Sequence, residues 1–254
     1  MAVILSVANQ KGGVGKTTTA TTLAHAFGLA GRRVLVIDID PQANATSGMG
    51  VEIAARSPTF APPGSPCSPV ETAWERVWCL PAGRDLENIP GRVPSNALRD
   101  NIARVGLDRF DIVLVDCPPS LGPLTQNALA ASDAALVPIQ CEYYPLEGLV
   151  QLLSAVRQAT KENPRVRVGG VILTMYDPAA DLAREVEAEV RGKLGHPVFD
   201  AVIPRDTSVA EAPSHCRSVI DYAPRSRGAR AYVELAVELH DRGVLAAKRR
   251  PSHA

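Results

Sequence analysis

One glycine-rich segment near the N-terminus constrains this chain more than any other part of its sequence. Residues 11–18 read KGGVGKTT. An apolar run at 3–8 precedes the segment and is typical of a strand, and apolar residues follow it at the spacing of a helix. A glycine loop between a strand and a helix lets several backbone amides point at one anion, beside the positive end of the helix dipole. The segment therefore predicts a site for the phosphates of a nucleoside triphosphate.

Two side chains of this loop have roles that follow from its chemistry. Lys16 would reach the β- and γ-phosphates, and the hydroxyl of Thr17 would bind Mg²⁺. The pattern G-x-x-x-x-G-K-[ST] is not met in full, because Gln10 stands at its first glycine and a second lysine, Lys11, opens the loop. The competing interpretation is a plain glycine turn with solvated lysines. The predicted nucleotide-binding residues of the loop are Lys11, Gly12, Gly13, Val14, Gly15, Lys16, Thr17 and Thr18.

Apolar, β-branched runs alternate with helical patterns along the rest of the chain. Further runs occupy residues 34–37, 112–115, 134–139, 168–173 and 198–203. Helical patterns cover residues 16–30, 96–105, 145–163, 179–193 and 226–244. The apolar runs are continuous, which indicates strands that are covered on both faces. We therefore predict an α/β fold of the P-loop NTPase type, with a doubly wound, mostly parallel sheet flanked by helices, as a single domain over 1–254.

Acidic residues follow two of these strands, at the edge of the sheet where such folds bind ligands. Asp116 ends an apolar run, as a metal-holding Walker B acid does, although an ordinary strand-end carboxylate has the same pattern. Asp38 and Asp40 are two positions apart, so on an extended chain they face the same side. One of them would orient or deprotonate the attacking water. The predicted metal-site residues are Thr17, Asp38, Asp40 and Asp116.

Composition argues against several other classes of protein. No apolar run approaches the roughly 18 residues of a transmembrane helix, and the N-terminal run leads straight into the loop, unlike a signal peptide. The five cysteines show no C-x-x-C spacing, which argues against a disulfide framework or a zinc site and fits a reducing cytoplasm. The formal net charge is zero, so nucleic-acid binding would need a local basic patch.

A proline-rich segment interrupts the order of strands and helices. Five prolines within 54–69 predict a surface loop. Residues 68–71 then have the form of a capping box with proline at the first helical position, which predicts a short helix. Trp74 and Trp78 on that helix would belong to the core, the alternative being a partner-binding edge. Residues 247–254 are expected to form a flexible basic tail.

Beyond the loop, several blocks resemble the ParA (Soj-type) partition ATPases, a branch of the deviant Walker A P-loop class. The matching blocks read DIDPQANATSG at 38–48, DCPPSLG at 116–122, QCEYY at 140–144, IPR at 203–205, EAPSH at 211–215 and PRSRG at 224–228. They stand in the order of the family and cover about residues 1–50 and 85–240 of this chain.

The resemblance implies roles that the residue patterns alone leave open. Asp40 would activate the attacking water, with Lys11 and Lys16 as the other catalytic residues and Asp38 as the supporting or metal-side acid. Lys11 would cross a dimer interface to the partner's phosphates, as an arginine finger does. ATP and Mg²⁺ are the expected cofactors, and no guanine-specific N-K-x-D motif occurs. The residues expected to line the adenine are Met175, Pro204, Arg205 and Asp206.

By the same resemblance, the protein would partition a chromosome or plasmid in the cytoplasm, in association with the nucleoid. Its ATP-bound homodimer would hold non-specific double-stranded DNA and release it when a ParB-like centromere-binding protein stimulates hydrolysis. Such binding needs phosphate contacts from basic side chains. Asp206 places an acid where relatives are often more basic. The candidate DNA-binding residues are Arg217, Arg225, Arg227 and Arg230, with Lys248, Arg249 and Arg250 on the tail.

Three alternatives remain open at this point. Related ATPases position other cargoes with the same motifs. A MinD-like membrane ATPase needs an amphipathic C-terminal anchor, whereas the last helical pattern is acidic and is broken by Gly243, so no stable membrane association is expected. A redox or metabolic relative would need cluster-binding cysteines, and Cys117 and Cys141 fit buried structural positions better.

Overall fold

One sheet forms the centre of the fold. The computed structural model describes residues 2–62, 65, 67–89, 93–94, 96–142, 145–194 and 197–246, with only the backbone described for 145–148. Within these residues the strands are β1 Val3–Val7, β2 Val34–Asp38, β3 Val70–Glu71, β4 Val77–Leu80, β5 Ile112–Asp116, β6 Ala134–Gln140 and β7 Arg167–Thr174. Their order in the sheet is β3-β4-β2-β5-β1-β6-β7. All neighbouring strands are parallel except β3 and β4. The predicted doubly wound, mostly parallel sheet is confirmed.

Helices cover both faces of this sheet. They are α1 Lys16–Leu29, α2 Asn44–Gly48, α3 Ala97–Arg104, α4 Pro123–Ala131, α5 Pro145–Ala159, α6 Asp181–Lys193, α7 Thr207–Glu211, α8 Val219–Tyr222 and α9 Arg227–Asp241. Side chains of β1 alternate between the two layers: Leu5 packs in the layer that contains α1 and α9, and Ile4 packs in the layer that contains α3 to α6. Both layers are apolar, which explains why the strand sequences lack a polar face.

The predicted strand at 198–203 is wrong as a continuous element. Val198 forms an isolated bridge to β7, and Phe199 N donates to Val171 O. The next two amides, of Asp200 and Ala201, donate instead to the carboxylate of Glu238 on α9, at 2.8 and 2.9 Å. Because that side chain takes the donors that a ladder would need, the segment follows the sheet edge without extending it.

The predicted helix after residue 68 is also wrong. Val70–Glu71 pairs antiparallel with β4, and the chain turns between them. The Thr72 hydroxyl accepts from Trp74 N at 3.1 Å and donates to Val77 O at 2.8 Å, and Arg76 has a left-handed φ of 59° that no helix interior allows. Trp74 is 6% exposed, as expected of a core residue.

The proline-rich segment is partly packed, which differs from a plain surface loop. A 3₁₀ turn spans Pro58–Phe60, and the side chain of Thr59 is fully buried. The Asn101 amide of α3 donates to Thr59 O at 2.8 Å. The part of the proline-rich segment around Thr59 is therefore held against α3. The basic tail at 247–254 lies outside the described residues.

Two helical glycines give opposite predictions for stability. A Cβ at Gly28 of α1 would lie 2.4 Å from Glu75 O, whereas a Cβ at Gly192 of α6 meets nothing within 4 Å. We expect Gly28→Ala to lower the free energy of unfolding by about 1–3 kcal/mol through overpacking. The matched control, Gly192→Ala, should raise it by up to about 1 kcal/mol. Urea denaturation of both variants checks this, and equal stabilities would contradict the packing of α1 on the β3–β4 turn.

Candidate nucleotide-binding site

The glycine segment forms the loop between β1 and α1. Gly13 and Gly15 have left-handed φ values of 74° and 86°, which favour glycine. Gly15 is the N-cap residue of α1, and no side chain caps its amides. The Thr174 hydroxyl donates to Val14 O at 2.9 Å and ties the loop to the end of β7. Uncapped amides at the start of a 14-residue helix are therefore available to an anion.

The two lysines of the loop lie in different environments. Lys16 is 6% exposed, and its ammonium donates to Lys11 O at 2.9 Å across the loop. Burial lowers the pKa of Lys16, and the charge of Asp116 opposes that effect. The side chain of Lys11 is exposed, while its backbone amide donates to the Asn9 side chain at 3.1 Å. Lys16 is thus held inside the loop, whereas the side chain of Lys11 is exposed at its entrance.

Asp116 is a buried carboxylate at the carboxyl end of β5. Neither of its oxygens has a hydrogen-bond partner in the part of the chain that the structure describes. Burial, and next the charge of Asp38, raise the pKa of Asp116 well above its ordinary value. An unpartnered buried carboxylate is costly unless a cation or a proton compensates it. Asp116 therefore fits the predicted role of a carboxylate that holds a metal ion.

Asp38 lies directly opposite Asp116 on the neighbouring strand β2, but its oxygens are already engaged. Oδ1 accepts from Asp40 N at 3.0 Å, and Oδ2 accepts from the amide and hydroxyl of Thr46 at 2.8 and 2.7 Å. Burial raises the pKa of Asp38 to about 6. These bonds favour the supporting role over direct metal binding, two alternatives that the sequence leaves open.

Asp40 differs from Asp38 and Asp116 because only one of its two carboxylate oxygens accepts a hydrogen bond within the described residues. Its Oδ1 accepts from Gln42 N at 3.0 Å, and the residue is 6% exposed. The chain turns sharply after it, where Ala43 has a left-handed φ of 52° and donates its amide to Asp40 O at 2.9 Å. The turn fixes Asp40 at the same sheet edge as Asp38 and Asp116.

The acids do not form a self-sufficient metal cage. Within the described ranges, no group of three or more His, Cys, Asp or Glu side chains is arranged to hold a metal ion. The oxygen donors present suit Mg²⁺, which commonly binds one or two protein groups together with water and substrate phosphates. The predicted set Thr17, Asp38, Asp40 and Asp116 therefore stays a prediction, and the Asp116 carboxylate and the Thr17 hydroxyl are the members that suit a direct contact with Mg²⁺.

A cavity of about 170 Å³ opens beside the loop, next to Gly15 and Thr18. The four residues that the resemblance predicts around the adenine all line this cavity: Met175, Pro204, Arg205 and Asp206. Arg205 forms an ion pair with Glu142, at 2.7 Å between Nη2 and Oε1. Tyr232 of α9 also lines the cavity, and its hydroxyl lies 3.2 Å from Thr19 Oγ1 of α1. Sequence reasoning missed Tyr232, because nothing in the final helical pattern relates it to a residue 213 positions earlier.

The four candidate DNA-binding arginines are all exposed: Arg217, Arg225, Arg227 and Arg230. They fall within a short stretch of chain that includes the start of α9. Arg217 is in part neutralised by an ion pair with Asp221, at 3.3 Å. The basic tail residues Lys248, Arg249 and Arg250 lie outside the described residues. The described patch is therefore small.

Two alternatives from the sequence can be examined in the same way. Cys117 and Cys141 are buried free thiols, and burial raises the pKa of Cys141 to about 12, so neither is a ready cluster ligand. Among the described helices, none has the length and apolar character needed to cross a membrane.

Comparison with known proteins agrees with this geometry. A family model described as an AAA domain matches residues 2–168. The chromosome-partitioning ATPase Soj of Thermus thermophilus is 45% identical over 238 residues, which are 92% of this chain and 94% of that protein. The chromosome partitioning protein ParA of Caulobacter vibrioides is 41% identical over 251 residues, 94% of each chain. This chain belongs to the ParA/Soj family.

Solved structures of two other proteins have folds similar to that of this ParA/Soj-family chain. The cell division ATPase MinD of Pyrococcus furiosus superposes with a TM-score of 0.80 at 28% identity, over 95% of this chain and 99% of that one. Cobyrinic acid a,c-diamide synthase of Mycobacterium smegmatis, with bound ADP and magnesium, has a TM-score of 0.80 at 32% identity over the whole of both chains. The fold and the resemblance to the family are thereby confirmed, while the roles of single residues stay predictions.

The environment of Asp38 in this family member predicts a specific pH dependence. Its pKa of about 6 in the folded protein exceeds the ordinary value of 3.8, so the folded state holds a proton that the unfolded chain has lost. Its contribution to the free energy of unfolding, roughly 1–3 kcal/mol, is present below pH 4 and is lost as the pH rises through 6. In magnesium-free buffer, ¹³C NMR of the carboxyl group should give a midpoint near 6.

A conservative variant provides the control for that titration. Thr46→Val removes the hydroxyl donor that favours the ionised form, so the midpoint of Asp38 should move upwards. A midpoint near 4 in the unmodified protein would contradict the buried position of Asp38.

Proposed function

We propose that this chain is a DNA-partition ATPase of the cytoplasm that works on the nucleoid. Its ATP-bound homodimer holds double-stranded DNA without sequence preference, and a ParB-like partner stimulates the hydrolysis that releases it. The observation that carries its ATPase part is the burial of Lys16 and Asp116 beside a helix N-terminus without a side-chain cap. The names of the relatives, chromosome-partitioning proteins in two bacteria, support the cellular role.

The nucleotide would lie across the loop, with its phosphates on the first amides of α1 and its base in the adjoining cavity. Lys16 supplies a fixed positive charge that is already desolvated, so it acts on phosphate oxygens without losing further hydration. Asp116 and Thr17 would hold Mg²⁺, which when bound neutralises charge on the phosphates. A structurally similar enzyme that contains ADP and magnesium supports this assignment of cofactors.

Hydrolysis requires a group that positions water in line with the terminal phosphate. Asp40 suits this role because the turn at Ala43 holds its backbone while one carboxylate oxygen remains outside the described hydrogen bonds. Asp38 contributes by accepting the Asp40 amide, which fixes the direction of the chain at that point. Lys11, exposed at the entrance of the loop, would complete the phosphate environment of the partner protomer.

Substitutions of Asp40 and Lys11 should separate nucleotide binding from turnover. Asp40→Ala should retain ATP binding and lose at least about 100-fold in hydrolysis, because general-base contributions are commonly of that size. Lys11→Ala should lose both ATP-dependent dimerisation and hydrolysis, whereas Lys161→Ala, another exposed lysine, should lose neither. Phosphate release and analytical ultracentrifugation with ATP and ADP measure these effects. A Lys11→Ala protein that hydrolyses ATP normally as a monomer would refute the action across the dimer.

DNA binding is tested with the Asp40→Ala protein, which should not turn over. Binding to non-specific duplex DNA should require ATP rather than ADP and should weaken as salt rises, because phosphate contacts release counterions. Arg230→Ala should lower the slope of log affinity against log salt by about 1, uniformly across sequences. Arg32→Ala, an exposed arginine at the other end of the sheet, is the matched control. No binding at low salt would overturn the DNA-binding role and leave the ATPase assignment to be judged by the preceding experiment.

A further inference from the structure

The carboxylate of Asp206 joins two helices that are far apart in sequence. Its Oδ1 accepts from Ser208 N at 3.0 Å, which caps α7. Its Oδ2 accepts from Gly228 N at 2.9 Å, in the first turn of α9. Asp206 also lines the cavity beside the phosphate loop. One side chain therefore connects the wall of that cavity to the start of α9.

The α9 backbone packs so closely on Asp206 and Val209 that a side chain at Gly228 would have no room. A Cβ at this position would lie 2.2 Å from Val209 Cγ2 and 3.4 Å from Asp206 Oδ2. Burial opposes ionisation of Asp206, but the amides of Gly228 and Ser208 outweigh it and hold the pKa of this carboxyl below its ordinary value. Asp206 is therefore a charged acceptor at neutral pH, and such hydrogen bonds are stronger than neutral ones.

A second connection reaches the next turn of α9 from α1, the helix that follows the phosphate loop. Tyr232, one turn beyond Gly228, is 1% exposed and lines the cavity. Its hydroxyl lies 3.2 Å from Thr19 Oγ1, in the first turn of α1. The start of α9 is thus fastened to both walls of the cavity, on one side through Asp206 and on the other through Tyr232.

We propose that Asp206 is a positioning residue that couples occupancy of the cavity by a nucleotide base to the packing of the first turn of α9, where Arg227 and Arg230 lie. The proposal rests on the proposed function, because it takes the cavity as the base site. A base in the cavity restricts the conformations of the segment 204–206. Because Asp206 is then already ordered, its Oδ2 accepts from the Gly228 amide at a lower cost in conformational entropy. The coupling is reciprocal, so whatever orders the start of α9 also tightens nucleotide binding.

Hydrogen exchange of the full-length chain tests the coupling without DNA. With saturating ADP or a non-hydrolysable ATP analogue, amides in residues 226–232 should exchange at least threefold more slowly than without nucleotide. Asp206→Asn should bring that ratio close to 1, because an asparagine oxygen can replace one acceptor but its amino group cannot accept from the second amide. Saturation is judged in the same samples from slower exchange at residues 11–19.

Ser226→Ala is the matched control. The Ser226 hydroxyl caps the same helix by accepting from Ala229 N at 3.1 Å, but Ser226 does not line the cavity. This variant should speed exchange of the first turn equally with and without nucleotide, so the ratio between the two states stays at its original value. A purely structural role for Asp206 would make Asp206→Asn behave in the same way as Ser226→Ala, and that result would overturn the proposal.

The unmodified protein separates the remaining outcomes. Slower exchange at 11–19 without any change at 226–232 overturns the coupling and leaves nucleotide binding intact. No change in either segment contradicts nucleotide binding itself, and with it the proposed function and the coupling together.

Discussion

Two carboxylates facing each other at the end of parallel strands are the constraint on which this protein depends. Asp38 and Asp116 are in register on β2 and β5, and both are fully buried. Burial raises the pKa of both carboxyls, and the charge of Asp38 adds to the effect on Asp116. The fold tolerates this because Thr46 and the Asp40 amide satisfy one member of the pair. The other has no hydrogen-bond partner among the described residues, and the nearby charge of Lys16 opposes the rise of its pKa.

Helix α1 connects this edge of the sheet to other parts of the fold. α1 begins at the phosphate loop, its Thr19 meets Tyr232, and its Gly28 packs against the turn before β4. Movement of its first turn would therefore reach α9 directly. Since neighbouring elements in a close-packed interior do not deform independently, we expect a ligand at the loop to affect the start of α9, which it does not touch. Under the proposed function, the Thr19–Tyr232 contact offers a route from the nucleotide to Arg227 and Arg230.

Local sequence patterns predicted most of the regular structure and failed where a distant side chain intervened. The long apolar strands and helices α1, α3, α5, α6 and α9 were predictable because their periodicity is local. α4 was missed, since its small residues carry little periodic signal. The segment 198–203 has the pattern of a strand, but Glu238 takes two of its amides. Residues 68–71 have the pattern of a helix start, but Thr72 and the left-handed Arg76 turn the chain into a hairpin.

The sequence by itself determined the phosphate loop, the long strands and helices, and the three acids at the strand ends, because each depends on a few consecutive residues. Only the tertiary structure decided the surroundings of the carboxylates: Asp38 is hydrogen-bonded, Asp116 is left unpartnered in the described chain, and Asp206 caps α7 while holding α9. The reason is physical. A carboxylate's role is set by the donors and charges around it, and these come from distant parts of the sequence. Gly228, which donates to Asp206, lies 22 positions from it, and Asp116, which faces Asp38, lies 78 positions from it.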